Sequence, residues 1–166
     1  MSSDDLSASP RTSGSALTRQ SPPTDSRALL RRVRDTGRDT TPEAVMSAVA
    51  DDLFDGDVDS VTVSNEVVTP SLGGILLALV QLRDDGTHGT GLMEDVEQLF
   101  GVEPSPGTVY PRLHDLESGG TLTRHDLVKT KQYAISDEDA ATDEIERAMY
   151  QHLAVGFFLQ AALDST

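Results

Sequence analysis

Cysteine and tryptophan are absent from this chain of 166 residues. Without cysteine there is no disulfide framework, no thiol switch and no cysteine-ligated zinc site. Long apolar runs are missing too. The two most apolar stretches, Leu72 to Leu82 and Leu153 to Leu163, have 11 positions each, short of the roughly 20 that a membrane-spanning helix needs. The opening Met1-Ser2-Ser3-Asp4-Asp5 lacks the basic and then apolar segments of a secretory signal. The expectation is a soluble cytoplasmic protein that neither enters a membrane nor carries a cofactor.

Basic residues are also few. Lys and Arg total 13 against 28 Asp and Glu, for a net charge of -15. Such a balance speaks against a nucleic-acid partner, because phosphate neutralisation usually dominates that affinity. The acid excess, the scarcity of Lys and the many Thr, Asp and Val residues instead suggest adaptation to a high-salt cytoplasm, where charges are screened within about 3 Å at molar ionic strength. What the protein can bind then depends on where its few cations lie. The length allows one modest core with tails.

Residues 1–40 are rich in Ser, Thr, Pro, Asp and Arg, the composition of a disordered tail. The tail nevertheless holds seven arginines against five aspartates, so it is +2 and the remainder of the chain is -17. It reads either as an arm following a DNA backbone or minor groove, or, preferred here, as a solvated linker. Residues 41–66 form a short helical segment of unassigned role. Thr41-Pro42-Glu43 supplies its cap, first-position proline and first-turn acid. Ala44, Val45, Ala48, Val49 and Leu53 are its apolar positions, and Val58, Val61 and Val63 suggest a strand after it.

From residue 67 to 136 the pattern is that of a winged helix-turn-helix. Ser71 is placed to cap a helix whose Leu72, Ile75, Leu76, Leu79, Val80 and Leu82 point mostly inward. A second helix fits Gly91 to Phe100, with Leu92, Val96 and Leu99 on one face and Gly101 as its terminal glycine. Ser105 and Pro106 open a third, with Val109, Leu113 and Leu116 inward and Gly119-Gly120 closing it. Pro111 lies inside this helix, where proline costs about 3 kcal/mol in an ordinary interior. Its carbonyl counterpart is Gly107, and the sequence leaves open whether the helix bends there. Strands at Thr121–Leu127 and Lys131–Ser136 form a hairpin, in which Tyr133 and Ile135 alternate with polar residues. The fold class is therefore mainly α with a small β-hairpin.

Residues 137–166 read as one long C-terminal helix. Ile145, Met149, His152, Gly156, Leu159 and Leu163 are spaced 4, 3, 4, 3 and 4, a coiled-coil seam. Beyond Leu153 nearly every side chain is apolar. A helix apolar all round must be covered all round. A second copy of the chain is the preferred cover, back-packing on the 41–63 segment the alternative. The dimerisation set is Ile145, Met149, His152, Leu153, Phe157, Leu159 and Leu163.

Between Ser105 and Ile135 the charge reverses. Arg112, Arg124, Lys129 and Lys131 outnumber Asp115, Glu117 and Asp126, making this window +1 inside a body of -17. A recognition helix and wing need such donors to phosphates and base edges. Thr108, Arg112 and Asp115 share one face of the third helix, opposite its apolar stripe. Arg112 is the leading candidate for a base or phosphate contact, with Lys129 and Lys131 reaching phosphates from the wing.

Ser105-Pro106-Gly107-Thr108-Val109-Tyr110-Pro111-Arg112-Leu113-His114-Asp115-Leu116-Glu117 resembles the recognition-helix motif of PadR-family transcriptional regulators, S-x-G-T-[LV]-Y-P-x-L-x-x-L-E. His88-Gly89 and Lys131-Gln132-Tyr133-Ala134-Ile135-Ser136 are similar to that family as well. The resemblance implies a winged-helix regulator of double-stranded DNA that dimerises through its C-terminal helix. It implies that Tyr110 and the residues near Thr108 and Arg112 lie at the DNA surface. The candidate contact set is then Ser105, Gly107, Thr108, Tyr110, Arg112, Arg124, Lys129 and Lys131. The chain departs from the family pattern at Thr130-Lys131, where a basic pair is usual, and at Ser136-Asp137-Glu138-Asp139, where a glycine turn is usual.

Two other function classes fit the sequence less well. An enzyme would need paired acids, a nucleophile with its base or a phosphate loop. None stands out, and His114 and His125 with their neighbouring aspartates lack metal spacing. Gly73-Gly74 reads as a packing feature. The alternative kept is an acidic winged-helix module that binds protein rather than DNA.

Overall fold

A computed structural model describes residues 41–53, 63–83 and 86–165. Residues 1–40, Val58 and Val61 lie outside the described residues, and with them the basic tail and most of the strand expected near Val63. Val63 itself is not in a strand; it packs against the core.

Helix α1, Pro42–Leu53, starts where the local chemistry predicts. The Thr41 hydroxyl accepts from the Ala44 amide at 3.3 Å. Its buried residues are Pro42 and Ala50, while Ala44 is exposed, because the inward face is set by contact with a neighbouring helix rather than by apolar count. A four-residue helix α2, Asn65–Val68, follows. The sequence carries no sign of it, since one turn has no periodicity to read.

Helix α3, Leu72–Leu82, is the centre of the molecule. Leu72, Leu76, Leu77, Leu79 and Val80 are all buried, so two faces are covered rather than one. Ser71 does not cap it through its side chain; the hydroxyl instead bonds His152 Nε2 at 2.6 Å. Strand β1, Thr87–His88, leads into helix α4, Gly89–Phe100, two residues earlier than the apolar spacing suggests. Gly101 ends α4 in the left-handed region at φ 67°, a conformation that glycine adopts at little cost. Helix α5, Pro106–Ser118, runs unbroken through Pro111. Among the described residues outside the helix's own backbone, only the Ser105 hydroxyl approaches the Gly107 side-chain position, at 3.8 Å, which leaves room for the proline ring's neighbourhood in the first turns.

Strands β2, Leu122–Asp126, and β3, Lys131–Ile135, form the antiparallel hairpin, with Arg124 opposite Tyr133 and Asp126 opposite Lys131. Among the described residues the sheet has three strands, not two: β1 pairs with the outer edge of β3, giving the order β1-β3-β2. Leu122 and Tyr133 turn into the core beside Leu92, Val96, Val109 and Leu113.

Helix α6, Glu138–Asp164, has 27 residues and is about 40 Å long at 1.5 Å per residue. Asp137 caps it by accepting from the Ala140 amide at 3.0 Å. Its first half lies on α3. A Cβ on Gly74 would sit 2.8 Å from that of Ala148, so Gly74 is what permits the close crossing. Its second half leaves the domain: Val155, Phe157, Phe158, Leu159 and Leu163 are all exposed. α1 packs mainly against α4, and Phe157, Phe158, Leu159 and Leu163 stay exposed, so the 41–53 helix does not cover this apolar end. Among the described residues no helix is long and apolar enough to cross a membrane.

Candidate nucleic-acid interface

Helix α5 presents two faces of opposite character. Val109 and Leu113 are fully buried, whereas Arg112, Asp115 and Gly107 are exposed. Thr108 is half-buried, with its hydroxyl 2.9 Å from that of Ser105. The Ser105 side chain therefore joins Thr108 instead of capping a backbone amide, and both hydroxyls stand at the open N-terminal end of α5. Beside them Asn65 of α2 and Thr69, just after it, line a small cleft of about 240 Å³.

Tyr110 is 40% exposed and its ring lies on the backbone of Gly89. The wing carries Lys129 and Lys131, both exposed, with Leu127 and Val128 at its tip. Between wing and helices runs an open cleft of about 630 Å³, lined by Tyr110, His88, Thr90, Asp126, Lys129 and Lys131 among others. His88 is tied to the sheet, its Nδ1 3.2 Å from the Lys131 carbonyl. Gly89 and Thr90 were not candidates from the sequence. They border the cleft because β1 joins the sheet edge, and a two-residue strand leaves no alternation to detect.

Arg124 differs from the other candidates. Its Nη1 donates to Glu117 Oε2 at 3.1 Å, and its Nε is 3.3 Å from Asp126 Oδ1. The Nε atom is buried, and its N–H does not point at an acceptor. Tyr133 lies across the hairpin from Arg124. Burial pushes its phenol pKa up, and the Arg124 charge opposes that rise.

Arg83, at the end of α3, donates to Asp95 Oδ1 at 2.6 Å and to Glu43 Oε1 at 2.7 Å. Asp95 is 8% exposed, so this ion pair is screened little by solvent and joins α4 to α3. Glu43 extends the tie to α1. Its carboxyl is held below the ordinary 4.5, first by its own backbone amide and then by Arg83. Arg147 pairs with Glu144 along α6.

The dimerisation candidates separate along α6. Ile145 packs against this chain's own core, and Met149 and Leu153 are half-buried. His152 is engaged by Ser71. Phe157, Leu159 and Leu163 are exposed.

The family model for the transcriptional regulator PadR-like family matches residues 76–141. The transcriptional activator GvpE of Haloferax mediterranei is 36% identical over 75% of this chain and 67% of its own length. The chain belongs to the PadR-like family of transcriptional regulators. It is a regulator of that family and not an enzyme. Two further relatives, the transcriptional activators GvpE1 and GvpE2 of Halobacterium salinarum, are 40% and 34% identical over 61% of this chain. The chain spans about half of their length, 53% and 52%. Solved structures of RosR include one from H. salinarum grown from NaBr and the hsRosR-S1 complex. They are 22% and 23% identical, with a TM-score of 0.41 for each. They cover 57% and 55% of this chain and 93% and 92% of the RosR chains.

Proposed function

We propose that this PadR-like protein regulates transcription by binding duplex DNA sequence-specifically as a homodimer in a high-salt cytoplasm, with α5 in the major groove and the β2–β3 wing on the backbone. One observation supports this above others. Six Lys and Arg side chains occur among the described residues. Arg83, Arg124 and Arg147 are paired with carboxylates. The three with no carboxylate partner among the described residues, Arg112, Lys129 and Lys131, all belong to α5 or the wing. Cations left unpaired in so acidic a chain are available for phosphates and base edges. Fluorescence anisotropy against genomic duplex fragments in molar KCl tests the reading. Absence of binding to every fragment would favour an acidic protein-interaction module instead.

Dimerisation follows from the apolar end of α6. Phe158 and Leu163 are each 73% exposed, and apolar side chains gathered on one projecting helix favour cover by a like surface. Phe158→Asp places a charge in that surface and should convert the dimer to a monomer in sedimentation velocity at molar salt. A wild-type chain that sediments as a monomer at tens of micromolar would remove the dimer from the proposal.

A further inference from the structure

We infer that Arg124 is a strut that holds the wing at a set angle to the recognition helix, and not a DNA contact; this rests on the DNA-binding reading above. The connection it spans is weak by itself. Between Glu117 on α5 and Arg124 on β2 the chain passes through Gly119-Gly120, with Gly120 at φ 81°. Backbone there is held by the Gly119 amide on the Asp115 carbonyl, the Gly120 amide on the Glu117 carbonyl and the Thr121 amide on the Leu116 carbonyl, none of which reaches the strand beyond Thr121. Two consecutive glycines add little stiffness of their own. The side-chain tie from Arg124 to Glu117 closes this corner from the other side.

Three features set Arg124 apart from Arg112, Lys129 and Lys131. Its side chain is 31% exposed with a buried Nε, so part of its guanidinium cannot meet a phosphate without moving. Two carboxylates flank it, so the cluster of Arg124, Glu117 and Asp126 carries a net charge of -1 and gives an approaching phosphate no attraction. Drawing the guanidinium away would also leave Glu117 and Asp126 unneutralised, and removing one partner of a partly desolvated pair costs more than the pair contributes. Arg124 faces Tyr133 across the hairpin, and Tyr133 is buried among the core side chains. The strut thus ties recognition helix, wing and core at one point.

The test turns on the sign of a single substitution. Removing the negative charge of Glu117 should tighten binding if only long-range electrostatics matter. If Glu117 anchors the strut, Glu117→Gln should weaken binding instead. We expect Glu117→Gln and Arg124→Gln each to weaken DNA binding about three- to tenfold, with the double variant no worse than the weaker single one, as for residues acting as one unit. The dependence of log K on log salt should keep its slope in all of them, since no phosphate contact is lost. Amide exchange in residues 122–135 of the free protein should speed up in each. Equal or tighter binding by Glu117→Gln overturns the inference, as does a slope lowered by about one in Arg124→Gln. If the wild-type protein binds no duplex, the DNA reading fails, and hairpin exchange alone decides the strut: unchanged exchange in both variants overturns it. Glu117→Gln preserves size and shape, so the test survives should Arg124→Gln fail to fold.

Discussion

A Cβ placed on Gly89 would lie 2.7 Å from Cε1 of Tyr110. The first residue of α4 and the exposed aromatic of α5 are thus fitted to each other through the absence of a side chain. Gly89→Ala suits the helical backbone and gains up to about 1 kcal/mol in helix preference. The clash falls on a ring that is partly free to swing outward. The melting temperature should therefore change little, while Tyr110 loses its place at the cleft and duplex affinity falls several-fold. A variant that melts normally and binds normally would show that the ring's position does not matter.

Arg112 is exposed on α5 and has no carboxylate partner among the described residues. Arg112→Ala should leave thermal stability within about 0.5 kcal/mol, as surface substitutions usually do. It should weaken binding to the preferred duplex by about 1–3 kcal/mol if the guanidinium meets a base edge. Comparison with a scrambled duplex separates base from phosphate contact, because loss of a phosphate contact weakens both equally.

The salt response should be shallow. Each neutralised phosphate contributes a slope of about -0.9 in log K against log salt. Among the described residues, Arg112, Lys129 and Lys131 have no carboxylate partner, and together they contribute a slope of about -3 per protomer. The acidic body repels DNA at low salt, and that repulsion is screened as salt rises. Affinity between about 0.5 and 3 M KCl should therefore fall gently or rise. Titrations at several KCl concentrations check this, and a steep decline counts against it.

Glu43 links stability to pH. Its pKa is lowered in the folded protein relative to the ordinary 4.5, so the folded state prefers its charged form. The stabilisation is fully present above that value and disappears as pH falls through the lower folded pKa. The pair with Arg83 is half-exposed, which limits the contribution to about 1 kcal/mol or less. Glu43→Gln should lower the unfolding free energy slightly at pH 7, and by less at pH 3, in paired denaturant titrations.

Helix α5 is the best-marked element in the sequence. Ser105-Pro106 and Gly119-Gly120 bound it, and its apolar stripe repeats every three to four residues. Gly101 after α4 and Asp137 before α6 are similarly local signals. The elements not foreseen are the short ones. One turn of α2 and two residues of β1 carry no period, and β1 exists only because β3 offers it an edge. Ser71 shows the same limit at side-chain level. A hydroxyl before a helix suggests a cap, yet its partner is His152, 81 positions away.

Charge divides the site along the same line. That the body's few cations gather on the third helix and hairpin follows from counting along the chain, and so does the apolar surplus at the end of α6. Which cations are free does not. Arg124, Lys129 and Lys131 are alike in a linear count. Asp126 is Arg124's neighbour two residues along the same strand, but only the path through Gly119-Gly120 brings Glu117 to Arg124, while both lysines stay open. Helical periodicity comes from neighbours within one or two turns and is therefore written locally. Ion pairing depends on distances of a few ångströms between groups far apart in sequence, and those distances exist only once the tertiary structure has formed.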